Sequence, residues 1–157
     1  MGKIFCVMGK SSSGKDTIYK RLLADERLGL KRVVLYTTRP IRARETEGVE
    51  YHFCTKEQEE EFFARGKVIE RRTYDTVYGP WDYFTVDDGS IDLSTGDYLI
   101  IGTLDAYESL VAYYSAEVIV PIYIEVDDGI RLQRAMRREQ KQSKPRYEEM
   151  CRRFLSD

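Results

Sequence analysis

Apolar residues follow two alternating rhythms along this chain. Ile4-Phe5-Cys6-Val7-Met8, Val33-Val34-Leu35-Tyr36, Tyr98-Leu99-Ile100-Ile101 and Val118-Ile119-Val120-Pro121-Ile122-Tyr123-Ile124 are short unbroken runs. Such runs read as strands buried on both faces, as in parallel sheets, and the last is expected to be a central strand. Between them the apolar positions recur at helical spacing. Ile18, Leu22 and Leu23 share one face of a helix predicted from Lys15 to about Arg27, with Gly29 as its stop. Thr55 with Gln58 forms a capping box, opening a helix predicted to bury Phe62 and Phe63 and to end near Gly66. Asp105, with Glu108 at its third position, is expected to cap a helix carrying Leu110 and Val111. Asp127 and Asp128 favour a further helix start, Pro145 breaks that helix, and another runs over 147–155. Tyr51-His52-Phe53, Val68-Ile69 and residues 83–86 read as strands of a small sheet. Strands alternating with helices predict an α/β domain on a parallel sheet. Residues 39–86 interrupt that alternation and read as an inserted lobe.

Composition narrows the function classes. The 157 residues suffice for one domain with a real core. Twenty-five Lys and Arg against 27 Asp and Glu give a net charge of −2, no global electrostatic case for nucleic acid. Locally, residues 131–153 hold nine Lys/Arg against three Glu, a balance that suits a small polyanion. Cys6, Cys54 and Cys151 have neither metal-ligand spacing nor a disulfide pattern, and point to a reducing cytoplasm. No apolar run is long enough for a membrane span, and a membrane role is not expected. Oligomeric state is not legible.

The candidate chemistry begins after the first strand. Gly9-Lys10-Ser11-Ser12-Ser13-Gly14-Lys15-Asp16-Thr17 fits G-x-x-x-x-G-K-[ST] except at the last position, where Asp16 stands for Ser or Thr. Strand, glycine-flanked loop and helix is the order a phosphate loop requires. Its backbone N–H groups wrap a phosphate at the positive end of the helix. Lys15 adds a point charge for the outer phosphates.

A second segment decides the reading. Thr37-Thr38-Arg39-Pro40-Ile41-Arg42, followed by Glu45, Gly48, Glu50, Tyr51 and Phe53, resembles the monophosphate-binding segment of guanylate kinases. Arginines three apart in a loop can both address one phosphate, and a tyrosine hydroxyl adds a neutral donor. Val68-Ile69-Glu70 and Tyr78-Gly79 resemble the same family's further elements, and Arg134, Arg138 and Arg153 stand at its lid arginine positions. The resemblance implies a P-loop parallel sheet flanked by helices, with an inserted monophosphate-binding lobe and a helical lid. The core would comprise residues 1–36 and 96–130, the lobe about 37–86 and the lid about 131–153, without the family's C-terminal segment. It implies ATP and GMP as substrates and Mg²⁺ as cofactor. Lys15, Arg42, Arg134 and Arg138 would be catalytic; Gly9, Ser11, Ser12, Ser13, Gly14, Lys15, Asp16 and Thr17 would bind ATP. Arg39, Arg42, Tyr51, Glu70, Tyr78 and Thr103 would bind GMP, and Asp16 would meet the metal. Glu70 can accept from guanine N1–H and the exocyclic amine, an arrangement adenine does not present.

Departures leave the acceptor open. Leu35 takes roughly the place of a family serine that touches guanine, Pro80 stands where Ser or Thr follows Tyr-Gly, and Thr103 lies near a base-reading aspartate. One alternative is a kinase for another nucleoside monophosphate or a sugar phosphate. The other is an interaction module on the same fold, against which the intact Gly14-Lys15 argues.

Overall fold

The computed structural model describes residues 1–76 and 78–157. Its core is a parallel sheet built from β1 (Ile4–Met8), β2 (Lys31–Arg32), β7 (Tyr98–Ile101) and β8 (Ile119–Tyr123), in the order β2-β7-β1-β8. The run at 118–124 is therefore an edge strand of this sheet, not a central one. Its exposure alternates, with Pro121 and Tyr123 facing out. A proline, which cannot donate to a ladder, is tolerated at an edge. Ile4, Cys6, Met8, Tyr98, Ile100, Val118 and Ile119 pack with Val33, Leu35 and Leu110 into one core.

The second predicted strand is split. Val33 N–H still donates to Leu99 O beside the core sheet, whereas Leu35 O accepts from His52 N–H in a second sheet. One apolar run thus feeds two sheets. The second comprises β3 (Tyr36–Thr37), β4 (His52–Phe53), β5 (Val68–Thr76) and β6 (Gly79–Val86), in the order β4-β3-β6-β5. β5 extends well past Val68-Ile69 as a hairpin with β6, because its β-branched and aromatic residues pair across, Tyr74 with Trp81 and Thr73 with Asp82.

Helix α1 (Lys15–Ala24) is shorter than its predicted span. Helix α2 (Lys56–Ala64) carries the full Thr55–Gln58 capping box. It packs on one face of the second sheet, where Phe62 lies near Tyr36 and Phe84. Phe63 is not buried: it is 43% exposed, with Arg71 over its ring. On that face Lys56 and Arg71 pair with the buried carboxylates of Glu59 and Asp82. Helix α3 (Leu104–Tyr114) is capped by Thr103, whose hydroxyl accepts from Ala106 N–H, so Asp105 lies in the first turn rather than at the cap. Asp127 caps α4 (Asp128–Gln140), and α5 (Tyr147–Ser156) follows.

Candidate functional site

The loops after β1, β7 and β8 meet at the carboxyl edge of the core sheet, where open parallel sheets bind ligands. Gly102 N–H donates to Val7 O and Ile124 N–H to Met8 O, drawing the three strand ends together. The loop 9–14 turns here. A Cβ on Gly9 would lie 2.7 Å from Ile124 O and 2.8 Å from Ser13 Oγ, so the backbone approaches closer than a side chain allows. Gly14 is the left-handed N-cap of α1, at φ 88°. Ser12 and Ser13 carry buried hydroxyl oxygens with no hydrogen-bond partner among the described residues. Buried hydroxyls left open in a loop of this shape fit an anionic oxygen as the missing partner.

Lys15 opens α1, and its side chain has no partner among the described residues. Asp16 and Thr17 are exposed in the first turn. From α4, Arg134 reaches the loop, its guanidinium 3.3 Å from Ser13 O and 3.4 Å from Ser12 O. Arg138, one turn on, is exposed. Arg153 pairs with Glu149 on α5 and does not reach the loop. Two residues not read as site residues do reach it. The fully buried Arg131 donates to Ser11 O, and the Asp157 carboxylate accepts from Ser11 N–H, from its hydroxyl and from Arg131. Sequence gave no signal for contacts 120 and 146 residues apart.

The arginine loop separates its two arginines. Arg39 is only 3% exposed. It forks onto Glu45 at 2.8 and 2.9 Å, donates to Tyr83 Oη and Pro40 O, and stacks over Tyr51 and Phe53. The hydrogen bonds from Arg39 hold Glu45 below the usual carboxylate range. Arg42 gives Glu45 only its backbone N–H, and its exposed side chain has no partner among the described residues. Tyr83, absent from the predicted set, completes the Arg39 socket. Tyr51 lies beside it, its phenol pushed up chiefly by burial.

Glu70 is buried on the face of β5 opposite α2. Its Oε1 accepts from Thr85 at 2.8 Å and its Oε2 from Arg72 Nε at 3.2 Å. Tyr78 lies elsewhere, 82% exposed at the hairpin turn and stacked on Trp81. Six residues of β5 separate Glu70 from the turn, roughly 20 Å of strand, so the structure does not bring these two together. Thr103 spends its hydroxyl on the α3 cap.

A guanylate kinase family model matches residues 1–83, taking in both the phosphate loop and the arginine loop. The chain belongs to the guanylate kinase family. Guanylate kinase of Neisseria gonorrhoeae is 38% identical over 104 residues, 66% of this chain and 48% of that protein. Those of Mycoplasmoides gallisepticum and Schizosaccharomyces pombe are 43% and 42% identical, over 77 and 76 residues, covering 49% and 46% of this chain and 40% and 37% of theirs. The chain spans about half the length or less of these curated relatives. The crystal structure of guanylate kinase from Anaplasma phagocytophilum superposes with a TM-score of 0.63 at 22% identity, over 87% of this chain and 67% of that one, a likeness of fold. The family's mixed α/β architecture is thus present. Among the described residues no helix is long and apolar enough to cross a membrane.

Proposed function

We propose that the chain transfers the γ-phosphoryl group of ATP to a nucleoside monophosphate, GMP in the first place, giving ADP and GDP. The observation that carries this reading is the single family match over residues 1–83, which joins a phosphate loop to an arginine-bearing acceptor lobe. Phosphoryl transfer needs positioning and charge neutralisation rather than a covalent nucleophile. Gly9, Ser11, Ser12, Ser13, Gly14 and Thr17 would wrap the ATP phosphates, with the open Ser12 and Ser13 hydroxyls supporting that fit. Lys15, Arg134 and Arg138 would neutralise the transferring group. Arg42, free of side-chain partners, would bind the acceptor phosphate, with Arg39 and Tyr51 shaping its loop and Arg153 lying in the lid.

Asp16 would hold Mg²⁺. Its carboxylate is exposed in the first turn of α1, and an oxygen ligand suits this ion. Among the described residues no group of three His, Cys, Asp or Glu could hold a metal alone, so phosphate and water would complete the shell. When bound, the ion would supply positive charge to offset that of the phosphates. The free thiols of Cys6, Cys54 and Cys151 fit a cytoplasmic setting.

A second acceptor is favoured by particular residues: Leu35 is buried in the core and Thr103 is committed to its cap, so neither reads a base. Glu70→Gln separates the two readings. If Glu70 reads guanine, coupled ADP-release assays give kcat/KM for GMP lower by roughly 10–100-fold, the loss of a charged hydrogen bond. If a sugar phosphate is the acceptor, its turnover is unchanged in the variant and GMP turnover is low in the parent.

A further inference from the structure

Glu70 presents a problem that its neighbours solve. A carboxylate buried to 6% exposure is costly as an ion unless a cation and hydrogen bonds accompany it. Arg72 lies two residues along β5, hence on the same face, and Thr85 is Glu70's direct partner across the hairpin. Each supplies one donor to one carboxylate oxygen, 3.2 Å from Arg72 Nε and 2.8 Å from Thr85 Oγ1. An ionised carboxylate has about four acceptor positions, so one on each oxygen is left over. Two parallel acceptors on one carboxylate are what an N1–H and a neighbouring exocyclic N–H require.

We propose that Arg72 is a positioning residue for the acceptor base, holding the Glu70 carboxylate oriented to receive a purine that carries both N1–H and an exocyclic 2-amine. This rests on the reading of the lobe as a purine monophosphate site. Other polar groups lie around the pair. The Cys6 thiol on β1 is pushed up to about 12 by burial, with Arg72 pulling it down and Glu70 pushing it up. The Tyr51 phenol, from the loop before β4, is also raised by burial. Tyr83, across from Arg72 on β6, gives its oxygen to Arg39. Arg71 points to the opposite face, toward Glu59 and Asp82. Arg72 is therefore the cation that pairs with Glu70. With Arg72 removed, Glu70 keeps only the Thr85 hydroxyl as a partner, and nothing fixes the plane in which its two open acceptors lie.

The test is calorimetric binding of GMP and of IMP, which keeps N1–H but lacks the 2-amine, to the parent, Arg72→Met and Arg72→Lys. Binding needs no turnover, so it separates this role from the phosphoryl-transfer reading: a parent that binds GMP without transferring phosphate sinks that reading and leaves this one standing. The expected result is tenfold or greater loss of GMP affinity in Arg72→Met, with a smaller loss for IMP. Arg72→Lys, which keeps the charge, is expected to recover a good part of the affinity. A parent that fails to bind GMP, or an Arg72→Met variant within twofold of the parent, overturns the proposal. So does an equal loss for GMP and IMP. If Arg72→Met does not fold, Arg72→Gln takes its place, and the same GMP and IMP comparisons decide.

Discussion

Lys15→Ala lowers the rate of phosphoryl transfer by at least about 10²–10³-fold, the scale of losing one fixed charge at a developing anion, and leaves the melting temperature close to the parent's. The two outcomes follow from one placement. Lys15 is the first residue of α1, directly after the left-handed Gly14, and its ammonium group has no partner among the described residues. Removing it breaks no side-chain contact among the described residues and leaves nothing buried unpaired, so stability stays within about 0.5 kcal/mol. What it removes is the compact positive charge beside a loop whose Ser12 and Ser13 hydroxyls are open. Steady-state ADP release and a thermal melt check both halves. Parent-like turnover would remove Lys15 from the chemistry.

Arg39→Ala destabilises the fold by about 3 kcal/mol, as removing one partner of a buried pair does, and lowers the melting temperature by roughly 6–12 °C. Arg42→Ala, three residues on, leaves stability unchanged and weakens the acceptor monophosphate by about 1.5–3 kcal/mol. The contrast rests on where each guanidinium points. Arg39 ties Glu45, Pro40, Tyr83 and two aromatic rings together, so its loss leaves Glu45 without the fork and the loop without its anchor. Arg42 is exposed and uncommitted. Calorimetric scans and acceptor titrations of both variants read the difference directly. Equal melting temperatures would show that the Arg39 socket does not hold the loop, and unchanged acceptor affinity in Arg42→Ala would place the monophosphate elsewhere.

Local features of this chain were legible from sequence because their causes are local. The first strand, the glycine-flanked loop and the helix after it need only an apolar run, two glycines and helical spacing. The Thr55–Gln58 box and the Asp127 cap are satisfied within three residues. Misreadings arose where tertiary contacts choose between options that look alike in sequence. An apolar run such as 33–36 does not say that it changes sheets midway, and the run at 118–124 does not say how many neighbours it has. The spacing of Arg39 and Arg42 suggested a shared phosphate. Only the fold shows Arg39 turned inward onto Tyr83, 44 residues away. Glu70 and Tyr78 are near in the chain, but the length of the β5–β6 hairpin sets them at different ends.

Phosphorus NMR of the chain incubated with ATP, GMP and Mg²⁺ tests the central claim most directly, because it identifies both products. The account predicts that ADP and GDP appear together in equal amounts, and that neither forms when GMP is omitted. Loss of ATP at the same rate without GMP, or intact GMP beside a different monophosphate that is converted, would contradict it.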